Sequence, residues 1–399
     1  MMYMVDMPEI NVTFNSSTTS IDTWDGFSIT EVKPKGDVYS ISKAAELAWI
    51  AERVNSGDNF SGKTVRLMSN IDLNDKVWKP IGSESERFDG LFDGQTNSVM
   101  NIRTENSAYA GLFGAVDSNG RIVKLGMKGT FKISASSDLY GGSVAGVNHG
   151  TIDDCFNACK IFADISSDEE RSLSVGGIAG VNFKMISNCF NDADIFSAWH
   201  SSQLGGLAGV NHGMIEECYN EGKINAKISE EKLSARICVY SGGITGISHG
   251  FIGKCYNEGA VEASVASADT DYAELFAGGI CGWGDGNMND CYNLKEVKAV
   301  INITSDKEML IMNSYAGGVN AWNAGMIDKC YNENEVRAIS KVSRNGVEES
   351  YSGGIAGVNF GTVHKSRNMG KAYADSSAST NVHVHSIAGK NEGSIIDSF

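Results

Sequence analysis

The sequence predicts an all-β protein: a right-handed parallel β-helix, wound as a single-stranded solenoid, with an N-terminal capping helix. Three observations lead to this fold class. A glycine-centred segment recurs about nine times. Glycine is abundant and proline rare, at 46 and 3 of 399 residues, which suits a sheet with many bends. The recurring segments hold short apolar pieces and show no helical periodicity, which excludes the helical solenoids.

The recurring segment is clearest in six copies. Each begins with a glycine pair, or with one glycine of that pair, and each also contains a cysteine and an asparagine. These copies occupy residues 142–157, 176–191, 205–220, 242–257, 278–293 and 317–332. A seventh copy at 353–368 lacks the cysteine, an unfinished copy lies at 386–399, and a degenerate first copy lies at 110–126. We therefore expect one coil of the solenoid for each copy.

Each copy can be aligned on one anchor position. The anchors are Gly114, Gly146, Gly180, Gly209, Gly246, Gly282, Ala321, Gly357 and Gly389. Consecutive anchors are separated by 32, 34, 29, 37, 36, 39, 36 and 32 residues, whereas the cysteine, where present, always follows the anchor by nine. All of the variation falls between the asparagine and the next glycine pair. The constant part therefore predicts packed strands, and the variable part predicts surface loops.

Stacking of the coils at ~4.8 Å would turn repeated positions into ladders. We expect a structural asparagine ladder, because asparagine tolerates left-handed turns and its amide bonds to identical neighbours. Its members are Asn157, Asn191, Asn220, Asn257, Asn293, Asn332 and Asn368. An aromatic ladder one residue earlier is interpreted as packing; it consists of Phe156, Phe190, Tyr219, Tyr256, Tyr292 and Tyr331.

Six of the nine cysteines also share one position of the repeat. They are Cys155, Cys189, Cys218, Cys255, Cys291 and Cys330. Neighbouring coils would bring them within reach of a disulfide, but buried free cysteine is a common apolar filler, so we predict stacked free thiols. No cysteine pair has zinc-type C-x-x-C spacing, so no metal centre is predicted.

The chain divides into three parts. Residues 1–36 are polar and mixed, and the pattern assigns them no structure. Residues 37–109 are predicted to form the cap and the first coils, including an amphipathic helix over 42–56 with Ser42 as N-cap. Residues 110–399 hold the repeats, and the last repeat is truncated. The helix is expected to cover the open end of the core, since a solenoid requires a cap.

Charge and hydropathy exclude several classes of function. The net charge of −16 argues against nucleic acid and against docking on anionic lipid. No apolar run approaches the ~20 residues that cross a bilayer, and no signal peptide is visible. Because the repeat pattern stops at Phe399 within a copy, we expect this chain to be part of a longer one.

The segment GGLAGVNHGMIEECYN at 205–220, with the other copies of the repeat, resembles the GLUG repeat of secreted and surface proteins of bacteria. The lead-in ELAWIAERVNSGDNFSGKTVRLMSNIDLNDKVWKPIGS, followed by FDGLFDG, resembles the segment that precedes such repeats. The resemblance implies an extracellular or cell-surface, adhesin-like module, or the non-catalytic stalk of some IgA-specific metallopeptidases. It implies no catalytic residues.

Candidate site residues are few. Trp283 and Trp322 replace valine or isoleucine just after the anchor on adjacent coils, and exposed they would form a flat platform for a sugar ring. The valine and isoleucine found there in other copies favour a core position instead. The histidines at 149, 212 and 249 are interpreted as turn residues, and His383 and His385 would share one strand face without a third metal ligand.

No catalytic constellation, cofactor site or metal site is predicted. The H-E-x-x-H motif is absent, and the acidic residues are scattered through variable loops. We therefore expect a non-enzymatic surface protein that binds glycans or host surface or matrix proteins. Two alternatives stay open: a passive stalk of a larger surface protein, and a polysaccharide-degrading β-helix enzyme.

Overall fold

A computed structural model describes residues 21–165, 171–229, 236–266, 270–303, 311–342, 347–377 and 381–399. Within these ranges the chain is β-structure apart from one α-helix, and that helix is not long and apolar enough to cross a membrane. Each named strand pairs in parallel with the equivalent strand of the next coil. The predicted parallel β-helix is therefore confirmed.

Four sheets make up the solenoid, and each full coil passes through them in the order sheet 1 to sheet 4. Sheet 1 comprises Tyr109–Ala110, Leu139–Gly142, Leu173–Gly176, Ser201–Gly205, Ile237–Gly242, Tyr272–Gly278, Ile311–Gly317, Val347–Gly353 and Val382–His385. Sheet 2 comprises Phe113–Val116, Ala145–Asn148, Ala179–Asn182, Ala208–Asn211, Thr245–Ser248, Cys281–Gly284, Asn320–Asn323, Ala356–Asn359 and Ala388–Asn391.

The other two sheets extend further towards the N-terminus. Sheet 3 comprises Val38–Ile41, Thr64–Leu67, Leu91–Asp93, Arg121–Val123, Thr151–Asp153, Met185–Ser187, Met214–Glu216, Phe251–Gly253, Met288–Asn289, Met326–Asp328, Thr362–His364 and Ser394–Ile396. Sheet 4 comprises Asp22–Thr23, Ile71–Asp72, Ser98–Glu105, Gly126–Ala135, Phe156–Ile165, Phe190–Asn191, Ile195–Ser197, Tyr219–Asn220, Ile224–Ile228, Tyr256–Asn257, Val261–Ala266, Tyr292–Asn293, Val297–Ile303, Tyr331–Asn332, Val336–Val342, Arg367–Asn368 and Ala372–Ser376.

The repeated asparagines form a continuous hydrogen-bonded column inside the solenoid. The side-chain amide of Asn191 donates to Oδ1 of Asn220 at 2.6 Å, and that of Asn220 donates to Asn257 at 2.7 Å. Each amide also donates to the carbonyl two residues ahead, as Asn220 does to Gly222 at 2.8 Å. These asparagines are fully buried from Asn157 to Asn332. The column therefore satisfies polar groups that would otherwise be buried without partners.

The left-handed bend of each coil does not lie at the asparagine, as the sequence interpretation had it. It lies three residues earlier, between sheets 3 and 4, where φ is between 46° and 56° in every repeat. The bend residues are Lys124, Asp154, Asn188, Glu217, Lys254, Asp290, Lys329, Lys365 and Asp397. The strain of these non-glycine residues is offset by stacking, since the bend N–H of Asp154 donates to the Ser187 carbonyl on the next coil.

The glycine pair follows from the asparagine column. A Cβ added at Gly206 would lie 2.2 Å from the Gly243 carbonyl oxygen and 2.5 Å from Cγ of Asn220. No side chain fits there, because the neighbouring backbone and the asparagine fill the space. The glycine and the asparagine of the repeat are thus two parts of one close contact.

The capping helix spans Ala44–Asn55, so the predicted bounds 42–56 were too wide and Ser42 is not its N-cap. Lys43 occupies the N-cap position, and the backbone N–H groups of Ser42 and Lys43 donate to Oε2 of Glu46 at 2.7 and 3.1 Å. The Ala44 N–H donates to Oδ2 of Asp22 at 2.7 Å. The carboxylate of Asp22, which is distant in sequence, therefore accepts a hydrogen bond at the helix N-terminus, the role predicted for the Ser42 side chain.

Part of the N-terminal segment thus belongs to the cap. The strand Asp22–Thr23 pairs with Ile71–Asp72, so residues after 20 that the sequence left unassigned join sheet 4. On the helix, Leu47, Ile50 and Val54 are fully buried against the first coils. The helix covers apolar core that the first coil would otherwise expose.

Candidate ligand-binding surface

The two tryptophans lie on the outside of sheet 2, which overturns the expectation of a core position. In its strands the residue before the anchor, such as Ala179, packs in the main core, whereas the residue after it, such as Val181, packs in a separate cluster. Trp283 and Trp322 follow the second pattern and are half-buried. Simple alternation would put residues two apart on one face, but the anchor between them has no register partner in sheet 2, so the regular alternation is interrupted there.

A column of aromatic side chains lies on the outside of sheet 1, beside the tryptophans. Tyr240 stacks on Phe276 with ring centroids 4.8 Å apart, and Phe276 stacks on Tyr315 at 4.5 Å. Tyr315 stacks on Tyr351 at 5.2 Å, and Tyr351 stacks on His383 at 4.6 Å. The interplanar angles are 11° or less, so these rings are parallel along the solenoid axis.

Trp322 packs across this column at steep angles, whereas Trp283 contacts a histidine outside the column. The Trp322 ring meets Tyr315 edge-on at 5.4 Å and 81°, and it lies 5.1 Å from Phe360 at 32°. The Trp283 ring lies 5.4 Å from His249 at 60°. We define the aromatic face as Tyr240, Phe276, Trp283, Tyr315, Trp322 and Tyr351. A stacked pair of indoles was predicted only for an outward position; among the described residues, the ring contacts of the two indoles go to other partners.

This difference in angle matters for ligand binding. In a stacked column the ring faces cover one another, and Phe276, Tyr315 and Tyr351 are only 4–5% exposed. A sugar ring packs its C–H groups on an aromatic face, and a regular ladder offers such a face only at its ends. The two indole rings are tilted out of the stacking direction. On this side of the molecule they therefore interrupt the regular ladder of stacked rings.

Polar side chains border the aromatic face. Glu274 accepts hydrogen bonds from the Tyr272 hydroxyl, from Nδ2 of Asn313 at 3.3 Å and from the Tyr315 hydroxyl at 3.5 Å. Burial, together with the nearby Glu274 carboxylate, raises the pKa of Tyr272 to about 12. This phenol therefore stays protonated at neutral pH and donates. The border offers hydrogen-bonding groups of the kind that fix a ligand's orientation.

The aromatic column of sheet 1 was missed because it lies just outside the constant part of the repeat. A signal exists in the sequence: an aromatic residue stands two positions before the first glycine of six copies. These residues are Tyr109, Tyr140, Tyr240, Phe276, Tyr315 and Tyr351. Ser174 and Gln203 interrupt the series. The interruption and the variable loop lengths hid the periodicity.

The three repeat histidines lie at bends and belong to another ring ladder. His149 stacks on Phe183 at 4.7 Å, Phe183 on His212 at 4.9 Å, and His212 on His249 at 4.9 Å. Burial, followed by the charge of His249, lowers the pKa of His212. Nδ1 of His249 lies 2.9 Å from Oδ1 of Asp285. Across the described ranges, no group of three or more histidine, cysteine or acidic side chains is arranged to hold a metal ion.

All nine cysteines are free thiols, and the repeated six are buried in a column. Each of these six lies 3.0–3.3 Å from the carbonyl oxygen two residues earlier, as Cys218 does from Glu216 at 3.2 Å. Burial raises the pKa of Cys155, Cys189 and Cys218 well above the ordinary thiol value. Such thiols are poor nucleophiles, because the thiolate is the reactive form.

Comparison with known proteins adds a family motif. The family described as the GLUG motif matches residues 200–225. A protein of Evansella cellulosilytica described as a Gly-rich membrane protein is 28% identical over 122 residues, which are 30% of this chain and 14% of that protein. The chain thus matches only a small part of that relative's length.

A crystal structure from Bacteroides ovatus, assigned as an immunoglobulin A1 protease, aligns with a TM-score of 0.47 and 18% identity, over 74% of this chain and 85% of that one. The fold described above is established by the strand register of this chain itself. The matched residues 200–225 include the anchor Gly209, the bend at Glu217, Cys218 and Asn220. The predicted resemblance is confirmed: this chain is a parallel β-helix that carries the GLUG motif.

Proposed function

We propose that this chain is a non-enzymatic module of a secreted or cell-surface protein, and that it binds carbohydrate on its aromatic face. The observation that carries the proposal is the outward position of Trp283 and Trp322. Other coils place valine, isoleucine, alanine or lysine there, so the winding of the coils does not need an indole. Large aromatic side chains on an outer face are typical of binding surfaces.

Carbohydrate is the ligand class that suits this combination of groups. Sugar rings present C–H faces to aromatic rings and hydroxyl groups to carboxylates and amides. Glu274, Asn313 and Glu349 lie in register on three successive strands of sheet 1, beside the column that Trp322 contacts. The secreted or surface location is also proposed. It is supported by the resemblance to the GLUG repeat of bacterial surface proteins.

The test is a screen of wild-type protein on an array of glycans and host matrix proteins, beside the variant Trp322→Ala. We expect carbohydrate binding that falls at least about tenfold in the variant, since a lost aromatic contact of ~1.4 kcal/mol gives that factor. Phe162→Ala is the matched control, because Phe162 is also an outward aromatic residue, 46% exposed, but on sheet 4. Far-UV circular dichroism checks that each variant is folded.

Outcomes separate the proposal from the passive stalk. Binding of wild type that is lost in Trp322→Ala and kept in Phe162→Ala supports the aromatic face as the site. Loss in Phe162→Ala alone would move the site to another face. If wild-type protein binds neither glycans nor matrix proteins, the stalk is the better description and the proposed function is wrong.

A hydrolase is a second candidate, and one observation favours it. Glu274 and Glu349 lie two strands apart on the same outer face, which places their backbones on the order of 10 Å apart at the usual strand spacing. Inverting glycosidases separate their two carboxyl groups by about 6.5–9.5 Å. Release of reducing ends from a bound glycan, abolished in the double variant Glu274→Gln/Glu349→Gln, would establish an enzyme.

A further inference from the structure

The shortest coil of the solenoid leaves a gap in the outer surface. The anchors Gly180 and Gly209 are 29 residues apart, the smallest separation in the chain. In sheet 4 this coil contributes the strands Phe190–Asn191 and Ile195–Ser197. The second strand ends two residues before the strands Phe156–Ile165 and Ile224–Ile228 on either side of it. The neighbouring coils therefore extend past the short one on the outside.

The short coil closes through two large, nearly buried side chains. Trp199 is 9% exposed and His200 is 4% exposed. Nε1 of Trp199 donates to the backbone carbonyl of Arg171 at 2.7 Å, and the rings of Trp199 and His200 are 4.3 Å apart. The carbonyl of His200 accepts from the N–H of Cys238 on the next coil at 2.8 Å. Trp199 and His200 thus form the floor of the gap, and hydrogen bonds connect this floor to the coils on both sides.

On the sheet 1 side of this floor lies a cavity of about 540 Å³, which we term the notch. Its lining includes Arg171, Ser201, Arg236, Tyr240, Tyr272 and Glu274. Its size is in the range of small-molecule sites. Tyr240 belongs to both the notch and the aromatic face, so the two surfaces are continuous.

The notch brings two arginines together in a chain of net charge −16. The guanidinium of Arg236 lies 4.0 Å from the centroid of the Tyr272 ring, a cation–π contact that fixes its position. The lining also holds the carboxylates of Asp138 and Glu274, which keep their charge while they accept hydrogen bonds from neutral donors. Asp138 accepts the Ser172 N–H at 2.9 Å, and Glu274 accepts from Tyr272 and Asn313.

We propose that the notch binds the anionic group, carboxylate or sulfate, of an acidic saccharide whose neighbouring rings lie on the aromatic face. The inference rests on the proposed function and specifies its ligand class. A planar guanidinium pairs with carboxylate or sulfate through two parallel hydrogen bonds, and the hydroxyl groups of Ser201 and Tyr240 add further donors. A long polyanion such as a nucleic acid is disfavoured, because the surrounding surface is acidic.

The experiment measures binding of four tetrasaccharides to the full chain by isothermal titration calorimetry. Tetragalacturonate is compared with its methyl ester, and sulfated maltotetraose with maltotetraose, so that each acid has a neutral partner of the same skeleton. We expect at least one acid to bind, its neutral partner to bind about tenfold more weakly or not at all, and the affinity to fall with salt. The pair that responds identifies carboxylate or sulfate as the ligand group.

The variants Arg236→Gln and Arg171→Gln should each weaken binding of the acid about tenfold or more. The matched control is Arg337→Gln, because Arg337 also lies over a tyrosine ring, 5.7 Å from Tyr373, but on sheet 4. Equal binding of the acid to wild type and Arg236→Gln would overturn the inference. So would a loss in Arg337→Gln equal to that in Arg236→Gln.

Failure of this inference can be told apart from failure of the proposed function. If the neutral forms bind as tightly as the acids, or if the glycan array yields only neutral ligands, and Trp322→Ala removes that binding, the carbohydrate function stands and the anion site is wrong. If neither the acids nor any glycan on the array binds wild-type protein, both are wrong.

Discussion

The outward column of sheet 2 has two halves that share one backbone but differ in their side chains. Towards the N-terminus it holds small aliphatic residues such as Val147 and Val181; further along it holds Trp283 and Trp322, followed by Val358 and Lys390. Both halves are wound with the same register. The fold therefore accepts valine at this position, and the indoles are additions to it. The buried asparagines behave in the opposite way, since they repeat in seven successive coils.

The largest effect is expected inside the coil, from Asn220→Ala. The substitution removes the bonds to Asn257 and Gly222 and leaves the Asn191 amide without its next partner. Buried groups left without partners cost about 1–3 kcal/mol each, so we expect a loss of about 3 kcal/mol of unfolding free energy. Urea denaturation followed by far-UV circular dichroism measures this loss.

A control for this substitution lies on the same coil. Asn225 is half-exposed on the outside of sheet 4, so Asn225→Ala should change stability by about 0.5 kcal/mol or less. If Asn220→Ala and Asn225→Ala had equal effects, the asparagine column would not be a source of stability and the contrast between inner and outer positions would fail.

A smaller effect is expected in the cysteine column, from Cys218→Ala. The sulfur of Cys218 accepts the N–H of Cys189 at 3.4 Å, and its thiol faces the Glu216 carbonyl. Alanine would remove both contacts and leave a small void, at a cost of about 2 kcal/mol. The urea midpoint should fall accordingly.

Serine is the informative comparison at this position, because the protein already uses it. Ser366 continues the cysteine column, accepting the N–H of Cys330 at 3.1 Å and donating to the His364 carbonyl at 3.0 Å. Cys218→Ser should therefore cost less than half as much as Cys218→Ala. A serine variant as unstable as the alanine variant would show that packing volume, rather than hydrogen bonding, decides this position.

The inner ladder positions and the outward positions of sheet 2 also differ in how well the sequence predicts their structure. The coil, its strands and its ladder residues follow from fixed spacing, since parallel stacking in register forces identical residues to meet. The orientation of Trp283 and Trp322 could not be read the same way. Their column faces outward, but aromatic residues of sheet 1 cover it, so its usual valines resemble core residues. Only the packing of two sheets at a corner resolves that ambiguity.

The notch shows a second limit of the same kind. The short separation between Gly180 and Gly209 is visible in the sequence, but its consequence depends on how far the neighbouring coils extend. Likewise the cap of the helix comes from Asp22, twenty-two residues before Ala44, and no local signal marks that pairing. Local patterns therefore predict the repeated coil, whereas contacts between unequal coils need the three-dimensional arrangement.

Little effect on stability, and the largest effect on binding, is expected from the double variant Trp283→Val/Trp322→Val. It gives the second half of the column the side chain of the first half, as in Val147 and Val181. Both indole rings are half-buried and lie outside the main core, so the double substitution should lower the unfolding free energy by about 1 kcal/mol or less. Urea denaturation should therefore place this variant near wild type, while the glycan array should lose its signal. A loss of stability as large as that of Asn220→Ala would instead make the indoles part of the fold, and retained binding would remove them from the site.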